Sequence, residues 1–257
     1  MVASDIDGTL HISRHNPDPG LADDIVTDRW TTGFAVTGPR GWRAWQELST
    51  RRALVPVTGR SWEQFIRMKW PGPRPDYLIL SGGGVVMSRG SVDDDWIHTA
   101  QTAARDDGWS AEELLAVLAP QLPESRLAVP KGAIGLLCVM PSAKQAPDAS
   151  HLLIQIAAEH GWLVSLQGRK MFLQSPRTSK GVALAWLSER HNLKVKASAG
   201  DSILDLGMLA STRTRIVPAM SEAHHHAQDL QITTIHGQAR DVIEQIPHRL
   251  LGALNEM

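Results

Sequence analysis

Three short apolar runs in the first third of this chain each stop at a turn rich in Gly, Thr or Asp. Residues 1–4 lead into Asp5-Ile6-Asp7-Gly8-Thr9. Residues 52–57 end at Thr58-Gly59-Arg60, and residues 77–80 run into Ser81-Gly82-Gly83-Gly84. Between the runs, residues 41–51 carry Trp42, Trp45 and Leu48 at helical spacing, and Ser61 with Gln64 has the form of a helix capping box. Strand, helix, strand with short turns implies a parallel sheet covered by helices. The pattern returns late in the chain. Residues 179–190 read as a helix, 195–199 as a strand ending in Gly200-Asp201, 205–210 as a helix and 214–218 as a strand, with a helix from Ser221. The expected fold is α/β, a Rossmann-like doubly wound parallel sheet.

The middle of the chain has another character. A helix is expected over residues 110–122, with Ser110 as N-cap and Glu112 and Glu113 in its first turn. A strand follows over 134–140, a helix over 148–160, and a hairpin pairing 162–166 with 170–173 around Gln167-Gly168-Arg169. This reads as an inserted α+β unit. The division expected is core 1–84, inserted domain 85–174, core 175–257. Residues 11–38 read as polar and irregular, with Pro17, Pro19 and Gly20, a long connection of the kind that forms flaps beside sites.

Composition narrows the function classes. The hydrophobic fraction of 42% over 257 residues allows a sizeable core. Lys+Arg (26) and Asp+Glu (27) nearly cancel, so no overall basic field favours nucleic acid or an anionic membrane as partner. The single cysteine, Cys138, lies in an apolar run and reads as a buried hydrophobe. Trp42, Trp45 and Trp186 read as packing residues. The first residues lack a basic segment followed by an apolar one, and no apolar stretch approaches the ~20 residues of a membrane span. A cytoplasmic location is the expectation.

Acidic residues stand where such a sheet does its chemistry. Asp5 and Asp7 follow the first strand, and Asp201 and Asp205 follow a late one. Open α/β sheets bind ligands in the crevice at the carboxyl ends of their strands. Any one Asp-x-Asp is as readily a turn or cap pair, whereas the ordered set favours a site. Oxygen donors without neighbouring Cys or His suit a hard cation, Mg²⁺.

Asp5-Ile6-Asp7-Gly8-Thr9-Leu10 resembles the first motif of the haloacid dehalogenase superfamily of phosphatases. Thr58 resembles the second motif, Lys180-Gly181 the third, and Gly200-Asp201-Ser202-Ile203-Leu204-Asp205 the fourth. They occur in the family's order across nearly the whole chain. The insertion between the second and third is where the Cof-like and sucrose-phosphatase-like branch carries its large cap. Ser81-Gly82-Gly83-Gly84 takes the place of that branch's Asn-Gly turn, and Leu204 stands where it usually carries Asn.

The resemblance implies a division of labour. Asp5 would be the nucleophile, forming an aspartyl-phosphate. Asp7 would serve as general acid and base while lending its backbone carbonyl to the metal. Asp5 and Asp201 would hold Mg²⁺ directly, with Asp205 orienting that shell. The phosphoryl oxygens would meet the Thr58 hydroxyl, the Gly59 N–H and the Lys180 ammonium. The tight turn at Gly8 would let the backbone approach the phosphate.

Other residues stay open between two readings. Arg60 either approaches the cleft between core and cap or stands in solvent. Arg169 and Lys170 either contact substrate or form a basic surface turn. His224-His225-His226 reads as a solvent-facing helix, because adjacent helical residues point about 100° apart and cannot share one ion. The expected function is hydrolysis of a small phosphorylated metabolite, a sugar phosphate by the branch resemblance. A phosphomutase or phosphotransferase, or a non-catalytic binding protein on the same fold, are the alternatives.

Overall fold

In the central sheet, alternate residues of each short strand are buried on opposite faces. Val2 and Leu54 pack with Trp45, Leu48, Ile246 and Leu250 on one side. Ala3 and Val55 pack with Trp96, Ala100, Leu184 and Leu187 on the other. Burial on both faces is why these strands read as unbroken apolar runs. The computed structural model describes residues 1–15, 23–106, 110–142, 144–159, 161–167 and 169–256. Its five-stranded sheet runs in the order Thr233–Ile235, Thr214–Pro218, Ala197–Ala199, Val2–Ser4, Leu54–Pro56, all parallel. A parallel bridge from Val57 to Ile79 brings Tyr77–Leu80 to the last edge. The doubly wound sheet expected from the sequence is present.

The helices sit close to their expected places. Pro39–Thr50 and Lys180–His191 flank the sheet on opposite faces. Ser61 caps Trp62–Arg67, with the reciprocal bond from Gln64 in place. Thr233–Ile235 and the closing helix Ala239–Asn255 were not anticipated. Pro247 lies inside that helix and reads in sequence as a breaker. Pro247 offers no N–H to the Ile243 carbonyl one turn back. Gly41 packs against that carbonyl so closely that a Cβ on Gly41 would meet it at 2.0 Å.

One expectation needs correction. Residues 11–38 are not one irregular connection. Ile12–His15, Ile25–Trp30 and Gly33–Thr37 form an antiparallel sheet, with Gly33–Thr37 in the middle. Pro17, Pro19 and Gly20 lie outside the described residues. Val26 pairs with Val36 and Asp28 with Ala35, so Thr27 is an extra, bulged residue. The bulge leaves the consecutive side chains of Thr27 and Asp28 both buried.

Val85–Ser88 and Ser91–Val92 extend the pairing of Tyr77–Leu80, and the helix Asp94–Asp106 buries Trp96 and Ala100 against the core sheet. The inserted unit lies beyond this helix. It has its own core, including Leu114, Leu136, Cys138, Leu153 and Met171. Its sheet is antiparallel, in the order Leu163–Gln167, Lys170–Gln174, Gly135–Val139, Arg126–Ala128. Gly168, at the expected hairpin turn, lies outside the described residues. Cys138 is a buried free thiol pushed up from its ordinary pKa by burial, as a small core residue should be.

One carboxylate fastens the inserted unit to the core. Glu222 accepts hydrogen bonds from Ser165 Oγ (2.6 Å) and Leu166 N (3.1 Å) of the inserted sheet, and from Ile203 N (2.9 Å) of the turn after Asp201. A bond to an ionised group contributes on the order of 1.5–3 kcal/mol. Glu222→Ala should therefore speed hydrogen exchange at the Leu166 amide by about ten-fold or more, leaving the amides of Ala3 and Val55 unchanged. Unchanged exchange at Leu166 would show that the carboxylate does not hold the unit down.

Candidate active site

Each acidic turn leaves the carboxyl end of a parallel strand, so the sheet delivers them to one crevice. Asp5 follows Val2–Ser4, and Asp201 comes two residues after Ala197–Ala199. Lys180 opens the helix Lys180–His191, whose N-cap Ser179 accepts from Val182 N. The Lys180 ammonium donates to Asp5 Oδ1 at 2.8 Å and to Asp205 Oδ1 at 2.7 Å, with all three side chains buried. The second oxygen of Asp205 accepts from Asp201 N (3.1 Å), Ser202 N (3.0 Å) and Ser202 Oγ (2.9 Å). Asp205 therefore gives one oxygen to Lys180 and the other to shaping the turn.

Oxygens of Asp5, Asp201 and Asp205 lie within 4.8 Å of one another. Burial pushes the Asp5 carboxyl up to about 7, with Lys180 pulling it down and Asp205 and Asp7 adding to the rise. Asp201 is likewise raised well above its ordinary value, first by burial and then by Asp5 and Asp205. Lys180 is opposed by its burial, yet Asp205 and Asp5 hold it as an ammonium. Asp201 Oδ1 is buried without a hydrogen-bond partner. An orphaned oxygen among crowded carboxylates, with no nitrogen or sulfur ligand, fits a hard divalent cation. Asp5 and Asp201 would be its side-chain ligands.

Gly8 serves this cluster directly. Its φ is +79°, and a Cβ there would lie 2.2 Å from Asp201 Oδ2. The close approach that requires glycine is thus to the Asp201 carboxylate, where the sequence suggested the phosphate.

Asp7 belongs to a second cluster. Arg60 grips it as a fork, Nε to Oδ2 and Nη2 to Oδ1, both at 2.7 Å. His11 Nε2 lies 3.0 Å from Asp7 Oδ1, and His11 Nδ1 lies 2.8 Å from Thr27 Oγ1. An ionised carboxylate only accepts, so Nε2 carries the proton in that bond and the Thr27 hydroxyl is free to donate to Nδ1. Arg60 Nη1 also donates to Asp28 Oδ2 at 2.5 Å, and Arg67 donates to both Asp28 oxygens at 2.8 and 3.0 Å. Burial works against the Asp7 anion, but the Arg60 and His11 bonds hold its carboxyl far below the carboxylate range. The Asp7 side chain keeps 41% exposure, toward the cleft. It stands outside the trio of carboxylates that could hold an ion.

The cleft between core and inserted unit encloses about 490 Å³. Asp5, Asp7, Gly59, Arg60 and Lys180 line it. Thr58 is fully buried behind it, its hydroxyl accepting from Arg60 N at 3.2 Å. Lys170 reaches the cleft from the inserted sheet. Arg169 does not, pointing instead toward Pro141 O at 3.4 Å. Arg60 is not the solvent arginine of one reading, being only 10% exposed. The apolar side chains of Trp30, Ile134, Phe172 and Leu204 stand on its walls, and Asp28 and Arg67 also border it. His225 and His226 are exposed, and the histidine run forms no metal cluster among the described residues. His11, Asp28 and Arg67 were not picked out in sequence. Only the position of His11, four residues after Asp7, was a usable signal.

No protein-family model matches the chain, and no curated protein matches it in sequence. Solved structures do. The sucrose-phosphatase of Synechocystis, in complex with sucrose and phosphate, superposes with a TM-score of 0.64 at 18% identity, over 96% of each chain. The C-terminal domain of C. albicans trehalose-6-phosphate phosphatase gives 0.54 at 14%, over 98% of this chain and 91% of that one. A haloacid dehalogenase-like hydrolase from Bacillus subtilis gives 0.51 at 16%, over 98% and 91%. The fold is haloacid dehalogenase-like. In this haloacid dehalogenase-like fold the inserted α+β unit roofs the carboxyl ends of the strands, and the four motif-like turns meet beneath it. No described helix is long and apolar enough to cross a membrane.

The crowded carboxylates make a pH prediction. Asp5 has a folded-state value near 7 against an ordinary 3.8, and Asp201 is also raised, so the folded protein binds more protons than the unfolded chain between those pH values. Stability of chelator-stripped protein should therefore fall as pH rises from about 4 to about 7. Asp7, shifted the other way, contributes its stability above about 4 and loses it only in stronger acid. Urea denaturation at the two ends of the window, with chelator and with Mg²⁺, measures this. Mg²⁺ should remove most of the slope. A chelated protein whose stability rises across the window would contradict the carboxylate crowding.

Proposed function

We propose that this chain is a Mg²⁺-dependent phosphomonoesterase that cleaves a small phosphorylated metabolite, a sugar phosphate by preference, in the cytoplasm. The observation that carries the reading is the buried Asp5 carboxylate, backed by Lys180 at 2.8 Å and crowded by Asp201, at the floor of a cleft that Asp7 also lines. The sugar preference draws on the sucrose-phosphatase and the trehalose-6-phosphate phosphatase, whose folds this chain shares.

The chemistry follows from the side chains. Asp5 attacks phosphorus as the ester oxygen departs, giving an aspartyl-phosphate. Asp7, protonated once it has left the Arg60 fork, gives that proton to the departing oxygen, then takes one from the water that cleaves the acyl phosphate, so inorganic phosphate leaves and Asp5 is restored. Lys180 and Gly59 line the cleft, where the ammonium and the Gly59 N–H would meet the phosphoryl oxygens, and the Thr58 hydroxyl, buried behind them, would join by the family resemblance. Asp5 and Asp201, with the Asp7 carbonyl, would hold a divalent cation, which would supply the positive charge that lets an anionic phosphate approach an anionic nucleophile. Asp205 keeps the turn that presents Asp201.

A panel of metabolite phosphates, assayed with and without Mg²⁺, tests the proposal. The expected result is Mg²⁺-dependent release of free phosphate without a phosphosugar isomer, which would instead indicate a mutase. Asp5→Asn should abolish turnover, and Asp7→Asn should lower it on the order of 10²–10⁴-fold, the usual scale for a general acid/base. Wild-type turnover by Asp5→Asn would rule out the covalent route.

A further inference from the structure

The Arg60 guanidinium is suspended between two carboxylates. Its Nε and Nη2 hold Asp7, and its Nη1 holds Asp28. The two carboxylates differ in freedom. Asp7 is 41% exposed toward the cleft, whereas the Asp28 side chain is 1% exposed. Asp28 is fixed from three further directions. Arg67 Nε and Nη2 and the Arg29 amide all donate to it, and the bulge at Thr27 turns it inward. The same bulge leaves Thr27 against His11, which bonds Asp7 from its other side.

We propose that Asp28 is a positioning residue for the acid/base Asp7, acting through Arg60. The inference rests on the phosphatase reading above. In that reaction Asp7 must turn from Arg60 to the leaving-group oxygen and back in every cycle. An arginine whose sole carboxylate partner was Asp7 would follow it, or would swing onto the arriving phosphate. Tied to Asp28, the guanidinium keeps one place on the cleft wall while Asp7 moves. The small antiparallel sheet is thereby more than a cover, because it carries the fixed end of the arrangement.

A purely structural ion network would predict something else. Losing it would lower stability and would slow every substrate in the same proportion. A positioning role makes the loss depend on how much the leaving group needs a proton. An alkoxide is a poor leaving group and requires one, whereas para-nitrophenolate leaves almost without help.

The test compares kcat/KM for β-glycerophosphate and for para-nitrophenyl phosphate in Asp28→Asn and in wild type. The expected result is a loss on the order of 10²-fold for the alkyl ester and only a few-fold for the aryl ester. Calorimetric Mg²⁺ affinity should remain that of wild type, since Asp28 lies outside the Asp5, Asp201, Asp205 trio. If Asp28→Asn does not fold, Arg67→Gln removes two of the bonds that fix Asp28 from a half-exposed position, and should show a smaller loss with the same bias toward the alkyl ester. Equal losses for the two esters, or no loss for either, would overturn the inference and leave the phosphatase reading standing. A wild-type protein that hydrolyses neither ester nor any metabolite phosphate would overturn both.

Discussion

The site depends on one buried ammonium. Lys180 lies between Asp5 and Asp205, and Asp201 stands close to both. Two like charges about 4 Å apart repel by roughly 4 kcal/mol at an effective dielectric constant near 20. Three carboxylates therefore cannot share this space as anions without a cation among them. Lys180 supplies one positive charge permanently, from the first turn of a helix anchored in the core by Ala183, Leu184 and Leu187. The remaining imbalance shows as raised carboxyl pKa values and an unpartnered Asp201 oxygen. It is the electrostatic signature of a place for a divalent ion.

A separate arrangement handles Asp7. Although only Ile6 stands between Asp5 and Asp7, they meet opposite environments. Asp5 faces other carboxylates and a single lysine, whereas Asp7 faces a guanidinium fork and a histidine. Their proton affinities are driven apart, Asp5 upward and Asp7 downward, so Asp5 needs a cation beside it to stand ionised and Asp7 can carry a proton only away from the Arg60 fork. The cleft joins the two environments, and the inserted unit closes over it, fastened by Glu222 to the turn that presents Asp201.

Much of this was legible in the residues because it is local. Apolar runs of three to four residues ending at turns specified parallel strands, and Asp5, Asp7, Lys180 and Asp201 stood at the ends where ligands bind. Capping boxes at Ser61 and Ser110 needed only their own four residues. What escaped was long-range or masked by a misleading residue. The strands in residues 11–38 alternate weakly, are interrupted by a bulge, and join through Thr31-Thr32 without an Asn-Gly or Asp-Gly signal. Asp28 and Arg67 acquire their meaning from partners 32 and 39 residues apart along the chain, spacings no short motif encodes. Pro247 concealed a helix that packs on Gly41. Trp96 packs against the core through contacts with distant residues such as Leu184 and Leu187, which local sequence does not reveal.

The central claim is that Asp5 is the group phosphorylated. The most direct measurement is to quench the enzyme during turnover of a phosphate ester, reduce the acyl phosphate with borohydride, and locate the modified residue by peptide mass spectrometry. The account predicts homoserine at position 5 in the reacted sample, and unmodified Asp5 when substrate is withheld. Modification at another carboxylate, or none at all under conditions of rapid turnover, would contradict it.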